Sequence, residues 1–130
     1  VLYSKMGEFK DATINLRKSI DFGLRIYEKN IDFLAYNSQM IKVFIELGNL
    51  FQENNEKDNS INTFKELRNI CESLSLAKPD IKDYAIFLII VYKKLSEMDL
   101  KMKNELSSRY TEKKILLSRR GIEIPKEFQL

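Results

Sequence analysis

The stretch that decides the fold is Leu47-Gly48-Asn49-Leu50-Phe51, continued after a polar linker by Ser60-Ile61-Asn62-Thr63-Phe64. In each half a small residue, Gly48 or Ser60, precedes an aromatic residue by three or four positions, which is the spacing of one helix face. Small residues let two helices approach closely, and the aromatic rings fill the space between them. The stretch therefore predicts two helices separated by a polar loop at residues 53–59.

Outward from this pair, the composition favours helices along the whole chain. The chain has 130 residues, of which 44% are hydrophobic, and it contains only four Gly and two Pro. Long segments mix Leu, Ile, Lys and Glu, which suit helices better than a sandwich of strands. We therefore expect an all-α domain at 1–121 and a tail at 122–130, and we expect both to be a piece of a longer protein.

Apolar stripes and turn signals predict where the helices lie. Stripes with helical spacing occupy Phe9, Ala12, Leu16, Ile20, Leu24 and Tyr27, then Leu34, Ile41, Phe44, Leu47 and Phe51, then Ile61, Phe64, Leu67, Cys71 and Leu74. Gly7 is expected to break a short first helix, and Asp32 and Asp99 are expected to cap later ones. Pro79 precedes the most apolar helix, which runs from about residue 80 to 98, and Gly121 ends the last helix.

The residue inventory argues against an enzyme. The chain has no His and a single Cys, which removes imidazole-activated nucleophiles and the ligands of a structural zinc site. All four glycines are isolated, so no phosphate-binding loop is present. The carboxylates at 53–58 lack the pattern of a calcium loop and are interpreted as a solvated turn. We therefore expect no catalytic residue, no metal site and no cofactor.

Charge and hydropathy also limit the partners. The formal net charge is only +3, although residues 101–120 contain seven Lys or Arg against two Glu. This basic helix lacks interleaved aromatic residues, so a solvated face is favoured over nucleic-acid binding. The apolar run Tyr84–Tyr92 is far short of the roughly 20 residues that cross a bilayer. The lone Cys71 is expected to pack as a small hydrophobe. A single Cys cannot form an internal disulfide, which suits a reducing compartment, so a cytoplasmic location is expected.

The central pair resembles the tetratricopeptide repeat family. In that family the first helix of a pair carries Leu-Gly and then an aromatic residue, and the second carries a small residue and then an aromatic or Leu. Leu47, Gly48 and Phe51, followed by Ser60 and Phe64, fit this order. A partial copy at Tyr3, Gly7, Ala12 and Leu16 and a degenerate copy at Leu88 and Tyr92 flank the pair. Tyr3, Phe51 and Tyr92 are separated by 48 and 41 residues. These intervals are longer than the usual repeat of the family, so elongated helix pairs are expected.

The resemblance implies about three helix pairs, the first truncated, stacked as a right-handed superhelix. It also implies a concave groove that holds a peptide or a partner helix. The implied groove residues are Lys42, Ile45, Glu46, Asn49 and Gln52, then Asp83, Ile86, Phe87, Ile90, Lys93 and Lys94. The Asn and Lys/Arg clamp that some members use for chaperone tails is largely missing at these positions. The expected function is a non-catalytic protein-binding scaffold.

Three alternatives stay open at this point. The apolar face at Ile86, Phe87 and Ile90 is equally suited to packing under a neighbouring repeat. The array also suits a peptide-sensing regulatory domain of a bacterial transcription regulator or signalling protein, whose output domain lies outside these residues. Self-association through the same apolar face is the third alternative.

Overall fold

The computed structural model describes the backbone of residues 2–30 and 32–124, and the side chains of this part from Met6 onward. Within this part the chain forms five helices and no strand, which confirms the all-α prediction. The helices are α1 (Leu2–Lys29), α2 (Leu34–Glu53), α3 (Lys57–Ala77), α4 (Lys82–Met98) and α5 (Lys103–Arg119). They pack as adjacent pairs, among them α1 with α2 and α4 with α5.

The chain divides into two compact units, Val1–Thr63 and Phe64–Leu130, with the boundary inside α3. In the first unit α1 and α2 are antiparallel, because contacts join opposite ends of the two helices. The rings of Phe9 and Phe51 meet edge to face at 6.2 Å. Gly23 lies so close to Met40 that a Cβ atom at residue 23 would stand 2.9 Å from the Met40 Cβ. A small residue therefore permits the closest approach of this pair.

Four of the motif residues that predict the central pair are buried. Leu47, Gly48, Ser60 and Phe64 are all buried, and the Ser60 hydroxyl donates a hydrogen bond of 2.7 Å to the carbonyl oxygen of Gly48. This bond joins α2 to the first turns of α3 inside the first unit. The connection between the two helices is shorter than the predicted polar loop, since only residues 54–56 lie outside the helices.

The second unit is organised around α4, as its apolar sequence predicts. Eleven residues of α4 are buried, including the run from Ile86 to Tyr92. In contrast, α5 buries only Leu106 and Leu117. A polar cluster ties three helices together, because Glu72 of α3 accepts a 2.9 Å hydrogen bond from the Tyr92 hydroxyl and lies 3.4 Å from a guanidinium nitrogen of Arg109. Helix α5 is therefore held to its unit by polar contacts as well as by its two buried leucines.

Three predicted helix ends are wrong. Gly7 does not break the first helix, since α1 is continuous from Leu2 to Lys29. A single exposed glycine costs a helix only about 1 kcal/mol, which the flanking turns offset. The truncated first pair expected around Gly7 is therefore one helix. Asp32 does not cap α2, because Phe33 occupies that position without a side-chain hydrogen bond.

Asp99 likewise does not cap α5, which begins at Lys103. The carboxylate of Asp99 instead accepts hydrogen bonds in the turn before α5, from the backbone N–H of Lys101 at 3.2 Å and from the Lys65 ammonium at 3.1 Å. The end of α5 agrees with the prediction. Gly121 has φ +72°, and its N–H donates to the Ser118 carbonyl, as expected of a glycine just past a helix end.

Candidate protein-binding groove

A groove of about 630 Å³ runs between α1 and α2 in the first unit. Four half-buried apolar side chains form its floor: Ala12, Leu16, Ile45 and Leu50. Four exposed polar side chains surround the floor: Asn15, Lys42, Glu46 and Glu53. A half-buried amide, that of Asn49, completes the lining. Apolar surface beside a few polar groups is the usual composition of a binding site.

Four of the five α2 residues expected from the family resemblance, Lys42, Ile45, Glu46 and Asn49, line this groove. They share one face of α2 because they are three or four residues apart. Gln52 is exposed but lies outside the groove lining. The binding role of these residues stays a prediction.

The amide of Asn49 is the most informative polar group in the groove. Its Oδ1 atom is buried and accepts no hydrogen bond from any described residue. A buried acceptor without a donor costs about 1–3 kcal/mol, so a binding partner that supplies an N–H gains this energy. The Lys42 and Glu46 side chains stand nearby with opposite charges. The groove therefore combines two opposite charges and an apolar floor with an amide whose buried oxygen has no hydrogen-bond donor among the described residues.

The α4 half of the expected groove differs from the prediction. Ile86, Phe87 and Ile90 are only 4%, 3% and 2% exposed, so they do not present an open apolar surface. The apolar sequence of α4 itself predicts this burial, because a helix that is apolar around most of its circumference is buried on most sides. The open groove face at these positions was implied only by the family resemblance. The other three expected residues, Asp83, Lys93 and Lys94, are half-buried. A binding role for any of the six stays a prediction.

The α1 wall was missed by sequence reasoning. In the sequence, Ala12 and Leu16 belong to the apolar stripe of α1 and to the partial repeat copy, and no pattern singles out Asn15. Ala12, Asn15 and Leu16 share one helix face, so a polar residue interrupts the apolar surface there. This interruption indicates a groove wall only when α2 is known to lie against that face.

The described residues offer little for covalent or metal chemistry. No group of three or more His, Cys, Asp or Glu side chains within them can hold a metal ion. Burial raises the pKa of the Cys71 thiol well above its usual range, so the thiol is protonated and unreactive at neutral pH. Burial, together with the hydrogen bond to Glu72, raises the pKa of Tyr92 to about 12.

Comparisons with models of protein families, with curated proteins and with solved structures give no significant match. The family resemblance therefore rests on the motif residues alone. Among the residues that the structure describes, no helix is both long and apolar enough to cross a membrane.

Proposed function

We propose that the chain is a tetratricopeptide-like, non-catalytic scaffold that binds a peptide segment of a partner protein in the groove between α1 and α2. The proposal is carried by one observation: the unpaired, buried Oδ1 of Asn49 beside a half-buried apolar floor. An extended peptide supplies backbone N–H groups to this acceptor and an apolar side chain to the floor at Leu16 and Ile45.

The packing of the central pair supports the family assignment. Gly48 and Ser60 are joined by a hydrogen bond of 2.7 Å, and the aromatic ring of Phe64 is fully buried. This is the role that the family pattern gives to its small and aromatic positions. The antiparallel packing of α1 with α2 is also what a stack of helix pairs requires.

The charges of the groove favour one class of peptide over another. Lys42 contributes one positive charge, and Glu46 and Glu53 contribute two negative charges. A peptide with at least one Lys or Arg close to an apolar residue therefore complements the groove better than an acidic peptide does. The groove is already formed within the chain, so less ordering of the scaffold is needed on binding.

The test is selection of linear peptides from a random display library on the immobilised chain, followed by calorimetry of the best binders. Replacing Asn49 with Leu removes the amide at similar size, and we expect it to weaken binding at least about tenfold. The matched control is Asn104→Leu, because Asn104 is exposed on α5 and lies outside the groove. Circular dichroism establishes that both variants keep the helical content.

Selected peptides that bind the Asn49→Leu and control variants equally well would contradict the proposal. A library that yields no binder at all would also count against it. A second variant, Glu46→Gln, tests the charge argument, since it should weaken basic peptides and leave neutral ones unchanged.

A further inference from the structure

A second cavity lies within the other unit, between α4, α5 and residues 122–124. Its volume is about 430 Å³, which is within the range of small-molecule sites. Its apolar lining consists of Ile122 and Ile124, which are half-buried, and of Ile89, Ile90 and Leu117, which are at most 3% exposed. This cavity is separate from the α1–α2 groove, so it is independent of the proposed protein-binding function.

The turn after α5 builds one wall of this cavity. Gly121 adopts φ +72°, and the next residue, Ile122, donates its N–H to the Leu117 carbonyl at 2.9 Å. This pair of features is the usual helix-ending motif in which the residue after the glycine packs against the last turn. Ile122 and Ile124 are half-buried as a result, and both line the cavity. The wall is thus fixed by backbone hydrogen bonds.

The polar part of the wall is mainly cationic. Lys93 and Lys114 line the cavity together with the Tyr110 ring, and the Lys114 ammonium lies 5.9 Å from the centre of that ring. Among the described residues of the lining, Glu123 is the acidic one. These described residues therefore carry two positive charges against one negative charge. An anion with a single charge complements this balance, and a polyanion does not.

We propose that this cavity binds a small monocarboxylate with an apolar body, such as a medium-chain fatty acid. The hydrocarbon body lies against the isoleucine wall, and the carboxylate accepts hydrogen bonds from the Lys114 ammonium and the Tyr110 hydroxyl. Charge-assisted bonds of this kind are stronger than neutral ones. The isoleucine wall distinguishes such a ligand from inorganic anions, which have no apolar surface to bury.

The experiment is an NMR titration of the full chain, labelled at the Ile δ1 methyl groups, with octanoate and separately with octanamide. Octanamide has the same hydrocarbon body without the charge. We expect octanoate to shift the methyl signals of Ile89, Ile90, Ile122 and Ile124 in a saturable manner. Octanamide should bind about threefold to tenfold more weakly, as expected for the loss of one partly exposed ionic contact.

Two variants locate the carboxylate. Lys114→Met keeps the apolar stem of the side chain and removes its charge, and it should reduce octanoate affinity to that of octanamide. Lys103→Met is the matched control, because Lys103 is exposed on the same helix and does not line the cavity. Absence of saturable shifts at these isoleucines would overturn the proposal. Equal affinities for octanoate and octanamide would overturn the anion site even if Lys114→Met failed to fold.

Discussion

Two glycines of α1 have very different surroundings. A Cβ atom at Gly23 would lie 2.9 Å from both the Cβ and the Cγ of Met40, closer than side-chain atoms normally approach. A Cβ atom at Gly7 would meet nothing within 4 Å. Both residues are helical, so the intrinsic helix preference of alanine over glycine applies equally to them. Alanine substitutions at the two glycines, compared with each other, therefore isolate the free-energy cost of moving α1 away from α2.

We predict that Gly7→Ala stabilises the chain by about 0.5–1 kcal/mol, because alanine loses less backbone entropy on folding. Gly23→Ala should instead destabilise it by about 1 kcal/mol or more, because the cost of overpacking exceeds the gain in helix preference. Urea unfolding followed by circular dichroism measures both changes. A stabilising Gly23→Ala variant would show that α1 and α2 do not approach closely at Met40.

Ser60 carries a second residue-scale prediction. Its hydroxyl is fully buried and donates to the Gly48 carbonyl, so Ser60→Ala should reduce the free energy of unfolding by about 1 kcal/mol. Ser60→Val, which adds bulk as well as removing the hydroxyl, should cost more. Ser108→Ala on the exposed face of α5 is the control and should change the stability little. Equal stabilities of the three variants would contradict the close packing of α2 on α3.

At the scale of the helices, the sequence predicts the apolar faces better than the helix ends. The stripe from Ile61 to Leu74 has its last four members fully buried, because helical spacing and burial have the same physical cause. The ends depend on smaller energies. Asp32 and Asp99 are good capping residues, but the observed ends of α2 and α5 use other residues, since a single cap contributes only about 1 kcal/mol.

The candidate groove shows the same limit in another form. Spacing within α2 is sufficient to place Lys42, Glu46 and Asn49 on one face, because that relation is local. Which face of α1 lies opposite, and how far α4 is covered, depend on contacts between residues distant in sequence. The apolar run around Phe87 predicts a buried helix, but it does not predict which neighbouring helix covers that residue.

The end of α2 provides an element-scale prediction. Asn55 has φ +62°, and its N–H donates to the Gln52 carbonyl while the next residue, Glu56, donates to the Phe51 carbonyl. Glycine adopts this backbone conformation without strain. Asn55→Gly should therefore raise the free energy of unfolding by about 0.5 kcal/mol.

The neighbouring Asn54 is a matched control for that prediction. Its φ is −100°, and its side-chain amide donates to the Leu50 carbonyl, so Asn54→Gly gains no conformational relief and loses a hydrogen bond. It should destabilise the chain, as measured by thermal unfolding. A destabilising Asn55→Gly variant would be incompatible with the left-handed backbone at residue 55.

Two shifted pKa values make the free energy of unfolding depend on pH, one on the acid side and one on the alkaline side. The hydrogen bond from Lys65 lowers the pKa of Asp99, so its contribution is present above about pH 4 and is lost as the pH falls through the lowered value. Burial raises the pKa of Tyr92 to about 12, so its contribution is present below about pH 10 and is lost as the pH rises toward 12. The chain has no His to titrate between these limits.

We predict that Tyr92→Phe lowers stability at pH 8, because the hydrogen bond to Glu72 is lost, but makes stability less sensitive to pH between about 10 and 12. Tyr110→Phe is the control, as Tyr110 is outside the Glu72 cluster.

Asp99→Asn should make the free energy of unfolding less sensitive to pH below about pH 4. Asp80→Asn is its control. Urea midpoints across the pH range test both, and parallel profiles for variant and parent would contradict the assignment.

Cys71 gives this molecule an internal reporter. It is the single thiol of the chain and has no exposed surface in α3, so a thiol-specific reagent modifies only molecules in which that helix has opened. The rate of labelling in native buffer then measures the frequency of such openings without any denaturant or engineered probe. If a bound peptide or fatty acid slows the labelling of Cys71, its binding stabilises α3 against opening, and the decrease in rate measures that stabilisation.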